Sequence, residues 1–198
     1  GESGLAYSPT LPPKVRAVIQ WRLAMLSPAA QTLTQTAAVI GRKFSFDVLA
    51  RSSDQDEATV VQSLDELWQR QLVRAQGGNA YDFSHDGIRA VAYGDIGPVR
   101  RRAVHLRVAQ VLEALHSDDL DAFSGQIAAH DEQAGQAQAA ITFYRRAAVA
   151  AQRIYADAEA VRVYRHLLES QLQASLSPQE RCALLLALGE VWQATGYW

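Results

Sequence analysis

A single cysteine, Cys182, stands among 198 residues. That excludes an internal disulfide and a multi-cysteine zinc site. A reducing cytoplasm is therefore the expected compartment. No stretch of about 20 apolar residues is free of charges, so no membrane span is expected. Neither charge sign dominates: 19 Lys and Arg stand against 21 Asp and Glu, for a net charge of −2. A nucleic-acid-binding domain usually carries a clear basic excess, and this chain has none. The common catalytic signatures are missing too. There is no Walker-type phosphate loop, no G-x-G-x-x-G, no G-x-S-x-G and no H-E-x-x-H. No enzymatic activity and no bound cofactor are expected of the segment itself.

What is present is ordinary globular composition, 48% hydrophobic and 20% charged. Such a chain is too rich in core-forming residues for long disorder. Its length suits one large domain or two small ones. It opens on Gly1-Glu2-Ser3-Gly4, with no methionine and no signal-peptide pattern, and ends on Gly196-Tyr197-Trp198. Both ends are expected to be those of a segment cut from a longer chain.

Residues 1–12 read as a linker, with Pro9 and Pro12 near its end. Pro13 opens a helix whose Val15, Val18, Ile19, Leu23 and Leu26 recur at helical spacing. Ser27-Pro28 starts the next, with serine as N-cap, Leu33, Ala37 and Ile40 on its buried face, and Gly41 at its end. A short element from Ser45 to about Arg51 follows Phe44. Asp54-Gln55-Asp56 is turn and cap chemistry before a helix from about Glu57 to Gln71. Its apolar stripe is Val60, Val61, Leu64, Leu67 and Trp68. Leu72–Gln76 and Ala80–Ser84 flank Gly77-Gly78-Asn79, which predicts a β-hairpin. Three short helices followed by a hairpin is the winged-helix order, with a helix-turn-helix near 44–71 and a wing at 72–84.

Everything after Ser84 is predicted to be helical. His85–Ile96 buries Ile88, Val91, Ala92 and Ile96, and Gly97-Pro98 breaks the chain before a helix over 99–116. That helix carries Val104, Val108, Val111, Leu112 and Leu115 in register. Ser117-Asp118-Asp119 caps another, which Gly135 stops. An internal echo follows: Ala139–Ala147 resembles Glu159–Leu167, as expected of stacked helix pairs. Ser177-Pro178 opens a last helix with Leu185, Leu188-Gly189, Trp192 and Gly196, a pattern similar to the first helix of a tetratricopeptide repeat. The predicted fold is mainly α: a winged-helix domain with one β-hairpin at 13–96, then a tetratricopeptide-like helical array at 97–198.

Four constellations bear on chemistry. The helix-turn-helix could read DNA, but residues 41–84 carry five basic residues (Arg42, Lys43, Arg51, Arg70, Arg74) against seven acidic ones (Asp47, Asp54, Asp56, Glu57, Asp65, Glu66, Asp82). Phosphate neutralisation supplies most non-specific affinity, so a packing module is favoured. The doublets His85-Asp86 and His130-Asp131 suggest metal ligands, but His105, His116 and His166 stand at no supporting spacing. No metal is expected. Ser84-His85-Asp86 reads equally well in two ways. Ser84 can N-cap the helix with Asp86 in its first turn. The same helix start can also hold a phosphate, with His85 donating one more hydrogen bond. Finally, Arg100-Arg101-Arg102 is a solvated face or a contact for phosphate or an acidic partner.

The ordered series Leu11-Pro12, Leu26-Ser27-Pro28, Ala37–Phe44, Phe83–Arg89 and Arg100–His105 resembles the region after the nucleotide-binding domain of STAND-class signalling ATPases. Bacterial members include multidomain transcriptional activators and cyclase-associated proteins. The resemblance covers about residues 11–170. It implies a winged helix that senses nucleotide state and a helical array that binds a protein partner or inducer. Ser84-His85-Asp86, with Arg89, resembles the Met-His-Asp sensor motif of that class, in which the histidine reads the β-phosphate of ADP. Ser84 stands where that motif has methionine. The resemblance thus implies ADP or ATP in the intact parent, and the nucleotide-binding domain of the same chain as partner. The alternative is a DNA-binding winged-helix regulator with a helical effector or dimerisation domain.

Overall fold

The structure, a computed structural model, describes residues 11–195. It is mainly helical with a small three-stranded antiparallel sheet. The chain divides into two compact units between Arg100 and Arg101. Residues 1–10 of the expected linker, and Gly196, lie outside the described residues.

The first unit begins with α1 (Pro13–Ala24) and α2 (Pro28–Ile40). Ser27 caps α2 as its sequence predicts, accepting the Ala30 N–H. The cap is completed from elsewhere. Glu66 accepts both the Ser27 N–H at 3.1 Å and its hydroxyl at 2.7 Å. Leu33, Ala37 and Ile40 are buried, as their spacing demands. On α1 the spacing misleads: Ile19 is buried, as is Leu26 just past the helix end, but Val15 and Val18 face solvent.

β1 (Lys43–Ser45), which the sequence reading missed, leads into α3 (Phe46–Ser52). Asp56 caps α4 (Glu57–Gln69) through the Thr59 N–H. The hairpin is β2 (Val73–Ala75) and β3 (Ala80–Phe83). Its turn holds Gly77 and Gly78 at φ +91° and +57°, where a side chain would be strained. β3 is the central strand, pairing Tyr81 with both Phe44 and Ala75. Phe44 stacks on Tyr81 at 6.1 Å and meets Phe83 edge-on. Phe44 and Phe83 are buried, as are Leu33, Leu49, Leu64, Leu67 and Val73 of the same unit. α5 (Asp86–Gly94) closes the unit.

α6 (Pro98–Leu115) runs across the division, and a 3-10 turn at Ser117–Asp119 follows where a side-chain cap was expected. α7 (Leu120–Ala134), α8 (Ala137–Arg153), α9 (Asp157–Glu169) and α10 (Pro178–Thr195) then pack in succession. Short connections turn each helix back on the one before. Ala128, Ala140, Ala148 and Ala160 let the axes approach, and Ile141, Tyr144, Tyr164, Leu167, Leu184 and Leu188 fill the core. Ser177 and Glu180 form a local capping box at the start of α10.

The echo is carried by hydrogen bonds as well as by sequence. The Tyr144 hydroxyl donates to Glu132, and the Tyr164 hydroxyl, 20 positions later, donates to Gln152, also 20 positions later. Gln136 N–H bonds the Asp131 carbonyl, and Ala156 N–H bonds that of Ala151. Each turn has one left-handed residue: Gly135 at φ +80° in the first, Tyr155 at φ +56° in the second.

Candidate functional site

The segment between β3 and α5 is built differently from its sequence expectation. Ser84 does not cap α5. Its hydroxyl donates to the carbonyls of Gln71 and Leu72, and its N–H also donates to Leu72, tying the hairpin exit to the end of α4. His85 takes the N-cap role: with extended backbone, its Nδ1 accepts the Gly87 N–H at 3.0 Å. An accepting Nδ1 carries no proton, so the neutral ring bears its proton on Nε2. His85 is exposed, and this outer N–H stands as a donor at the positive end of a helix.

The neighbouring side chains fix that start. Asp86 is paired with Arg42 at 2.6 Å. Arg89 donates Nε–H to the Ala38 carbonyl, fastening α5 to α2. A Cβ on Gly87 would come within 3.1 Å of both His85 Nδ1 and Leu11 Cδ2, and 3.2 Å from Ile19 Cδ1. A side chain there would make the His85 ring and the ends of Leu11 and Ile19 give way by a few tenths of an ångström. Arg100 and Arg102 are exposed and Arg101 is half-buried. Consecutive helical positions point about 100° apart, so the run does not form one face.

α4 covers most of the residues expected to form a DNA-reading helix. Val60, Leu64 and Leu67 are buried, but Val61 and Trp68, expected in the same stripe, are 42% and 57% exposed. They share the outer face with Glu57 and Asp65. The nearby cations are engaged within the fold. Arg70 pairs with Glu66 at 3.1 Å. Arg74 lies 3.6 Å from Asp82 and donates to the Ser84 carbonyl.

The second His-Asp doublet is interior. His105 and His130 are buried with their Nδ1 atoms 2.9 Å apart, so one ring donates and the other accepts. Burial, then the charge of Glu113, pushes the Asp131 carboxyl up to about 6. His116 stacks on Phe123, and His166 bonds Glu132 at 2.7 Å. Among the described residues no group of three or more His, Cys, Asp or Glu could hold a metal ion.

One cleft went unread in the sequence. Asp121 of α7 and Arg145, Arg146, Val149 and Arg153 of α8 line a cavity of about 330 Å³. Asp121 accepts from Arg146 Nε at 2.5 Å and from Arg153 Nη1 at 2.9 Å. The hydrogen bond from Arg146, its charge and then that of Arg153 hold the Asp121 carboxyl below its ordinary range. The available signal was the i, i+4, i+8 spacing of Arg145, Val149 and Arg153, which puts them on one helix face.

Among the described residues no helix is long and apolar enough to cross a membrane. No protein-family model, curated protein or solved structure matches the chain.

Proposed function

We propose that the chain is a non-catalytic regulatory and protein-interaction segment of a multidomain, cytoplasmic STAND-type ATPase or transcriptional regulator. One observation carries the reading. The outer face of α4 offers Val61, Trp68 and carboxylates to solvent, while Arg70 and Arg74 are bound within the fold. A face of that composition suits a protein surface and repels a phosphate backbone. The order α2, β1, α3, α4, β2, β3 supports the winged-helix reading.

In this proposal His85 reports nucleotide state. Its cap geometry leaves Nε2–H to meet the terminal phosphate of ADP held by a nucleotide-binding domain of the same chain, while Asp86 and Arg89 fix the helix start. The second unit is the partner- or inducer-binding array. Its helices follow a repeat-like order, although the 20-residue offset of one helix onto the next exceeds half of a 34-residue tetratricopeptide repeat.

Titration of labelled duplex DNA at physiological salt tests the reading against its rival. No saturable binding is expected, and Arg70→Ala with Arg74→Ala changes nothing. A tight complex weakened by those substitutions establishes the DNA-binding regulator instead.

A further inference from the structure

The cleft on α8 is the strongest uncommitted feature of the second unit. Arg145, Val149 and Arg153 follow one another up a single helix face, with Arg146 beside them. Asp121, held ionised by Arg146 and Arg153, is the one carboxylate lining the cleft against three guanidinium groups. Glu180 pairs with Arg145 at 3.9 Å, so three guanidinium groups face two carboxylates and one positive charge is in excess, within a chain whose own net charge is −2. That contact is beyond hydrogen-bonding distance, so the Arg145 donors are not taken by Glu180. A guanidinium has five N–H donors. Asp121 takes one from Arg146 and one from Arg153, which orients both forks and leaves most of their donors open.

We infer that this cleft binds an acidic peptide segment of a protein partner, with two carboxylates spaced to meet Arg145 and Arg153. This deepens the reading of the second unit as a partner-binding array and rests on it. Spacing sets the ligand class. Asp121 already fills the place between Arg146 and Arg153 where a single anion would bridge two guanidinium groups, so an incoming ligand meets Arg145 and Arg153 from outside that pair, at positions about 12 Å apart along the helix. An extended peptide places side chains four residues apart at about 13 Å, on the same side of the strand. Val149 lies between the arginines and is 42% exposed, so the middle of the peptide meets an apolar floor. Ile154 and Tyr155, the next two residues after Arg153, are 76% and 90% exposed. Arginine and tyrosine beside apolar surface is the composition of protein interfaces.

The test is fluorescence anisotropy on this chain with a labelled Glu-Ala-Leu-Ala-Glu peptide and its Gln-Ala-Leu-Ala-Gln counterpart. The acidic peptide is expected to saturate and the neutral one not. Arg145→Glu and Arg153→Glu should each weaken binding about tenfold or more at a temperature where circular dichroism shows each variant folded, the lost pairs with Glu180 and Asp121 lowering melting by only a few degrees, and Lys43→Glu should have no effect on binding. Equal binding of both peptides, or charge reversals without effect, overturns the proposal. So does displacement of the peptide by millimolar inorganic phosphate, or tighter binding of a single-stranded oligonucleotide. Failure here leaves the duplex-DNA result untouched. Duplex binding through Arg70 and Arg74 would overturn the regulatory reading while this titration was read independently.

Discussion

Two substitutions at one position separate the two jobs assigned to His85. Its Nδ1 accepts the Gly87 N–H, and its Nε2–H belongs to an exposed side chain. His85→Ala removes both. Loss of an N-cap acceptor costs about 1 kcal/mol, within a range of about 0.5–2. In a unit of this size that lowers the melting temperature by about 4–8 °C per kcal/mol. His85→Asn restores the acceptor, because an asparagine carbonyl reaches the same N–H, but its amide stops short of the ring's far nitrogen. Thermal denaturation of this chain followed by circular dichroism should therefore rank His and Asn together, with Ala several degrees lower. ADP release should rank differently, measured in a protein that joins this chain to the nucleotide-binding domain proposed for it. A hydrogen bond to a charged phosphate contributes about 1.5–3 kcal/mol, a factor of about 10–100. Both variants should then release ADP faster and raise basal output without inducer. If Asn melts as low as Ala, the capping account fails. If Asn retains ADP as His does, the cap is the whole role of the residue.

Asp131 makes the second unit sensitive to pH. Its carboxyl is raised from 3.8 to about 6 in the folded state, so the native chain binds more protons than the unfolded one between those values. Stability should fall as pH rises from about 4 to about 6, by about 1–3 kcal/mol, and Asp131→Asn should flatten that slope in urea titrations at pH 4, 5, 6 and 7. Tyr155→Gly should raise the melting temperature. It relieves a left-handed backbone at φ +56° in a residue 90% exposed, worth about 0.5–1 kcal/mol; a lower melting temperature would show that the tyrosine ring holds the turn.

What could be read from the chain was local. Ser27-Pro28, Gly77-Gly78-Asn79 and Gly135 act within a few residues, and each ends or begins an element where its chemistry requires. What escaped depends on distant partners. β1 is three residues long and extended because β3 offers it an edge. Val61 and Trp68 match the stripe of α4, yet helical spacing cannot say where the buried arc stops. His85 and not Ser84 is the cap, and the serine hydroxyl is turned instead toward the Gln71 and Leu72 carbonyls across the hairpin. The arginine cleft needs the register of α7 on α8, which brings Asp121 to Arg146 and Arg153. Apart from the spacing along α8, no residue of that set announces the others.

The two Ser-Pro helix starts have unlike histories during folding. At Ser177 the closing carboxylate is Glu180, three residues away, so α10 can complete its first turn on the timescale of an isolated helix. At Ser27 the hydroxyl accepts the Ala30 N–H locally, but the carboxylate is Glu66, 39 residues away, and a loop that long must close before the cap is complete. Completion of the α2 cap is thus a late, long-range event that reports the docking of α4. Substitutions at Glu66 should act chiefly on the unfolding rate, and substitutions at Glu180 should leave a signature already in the transition state.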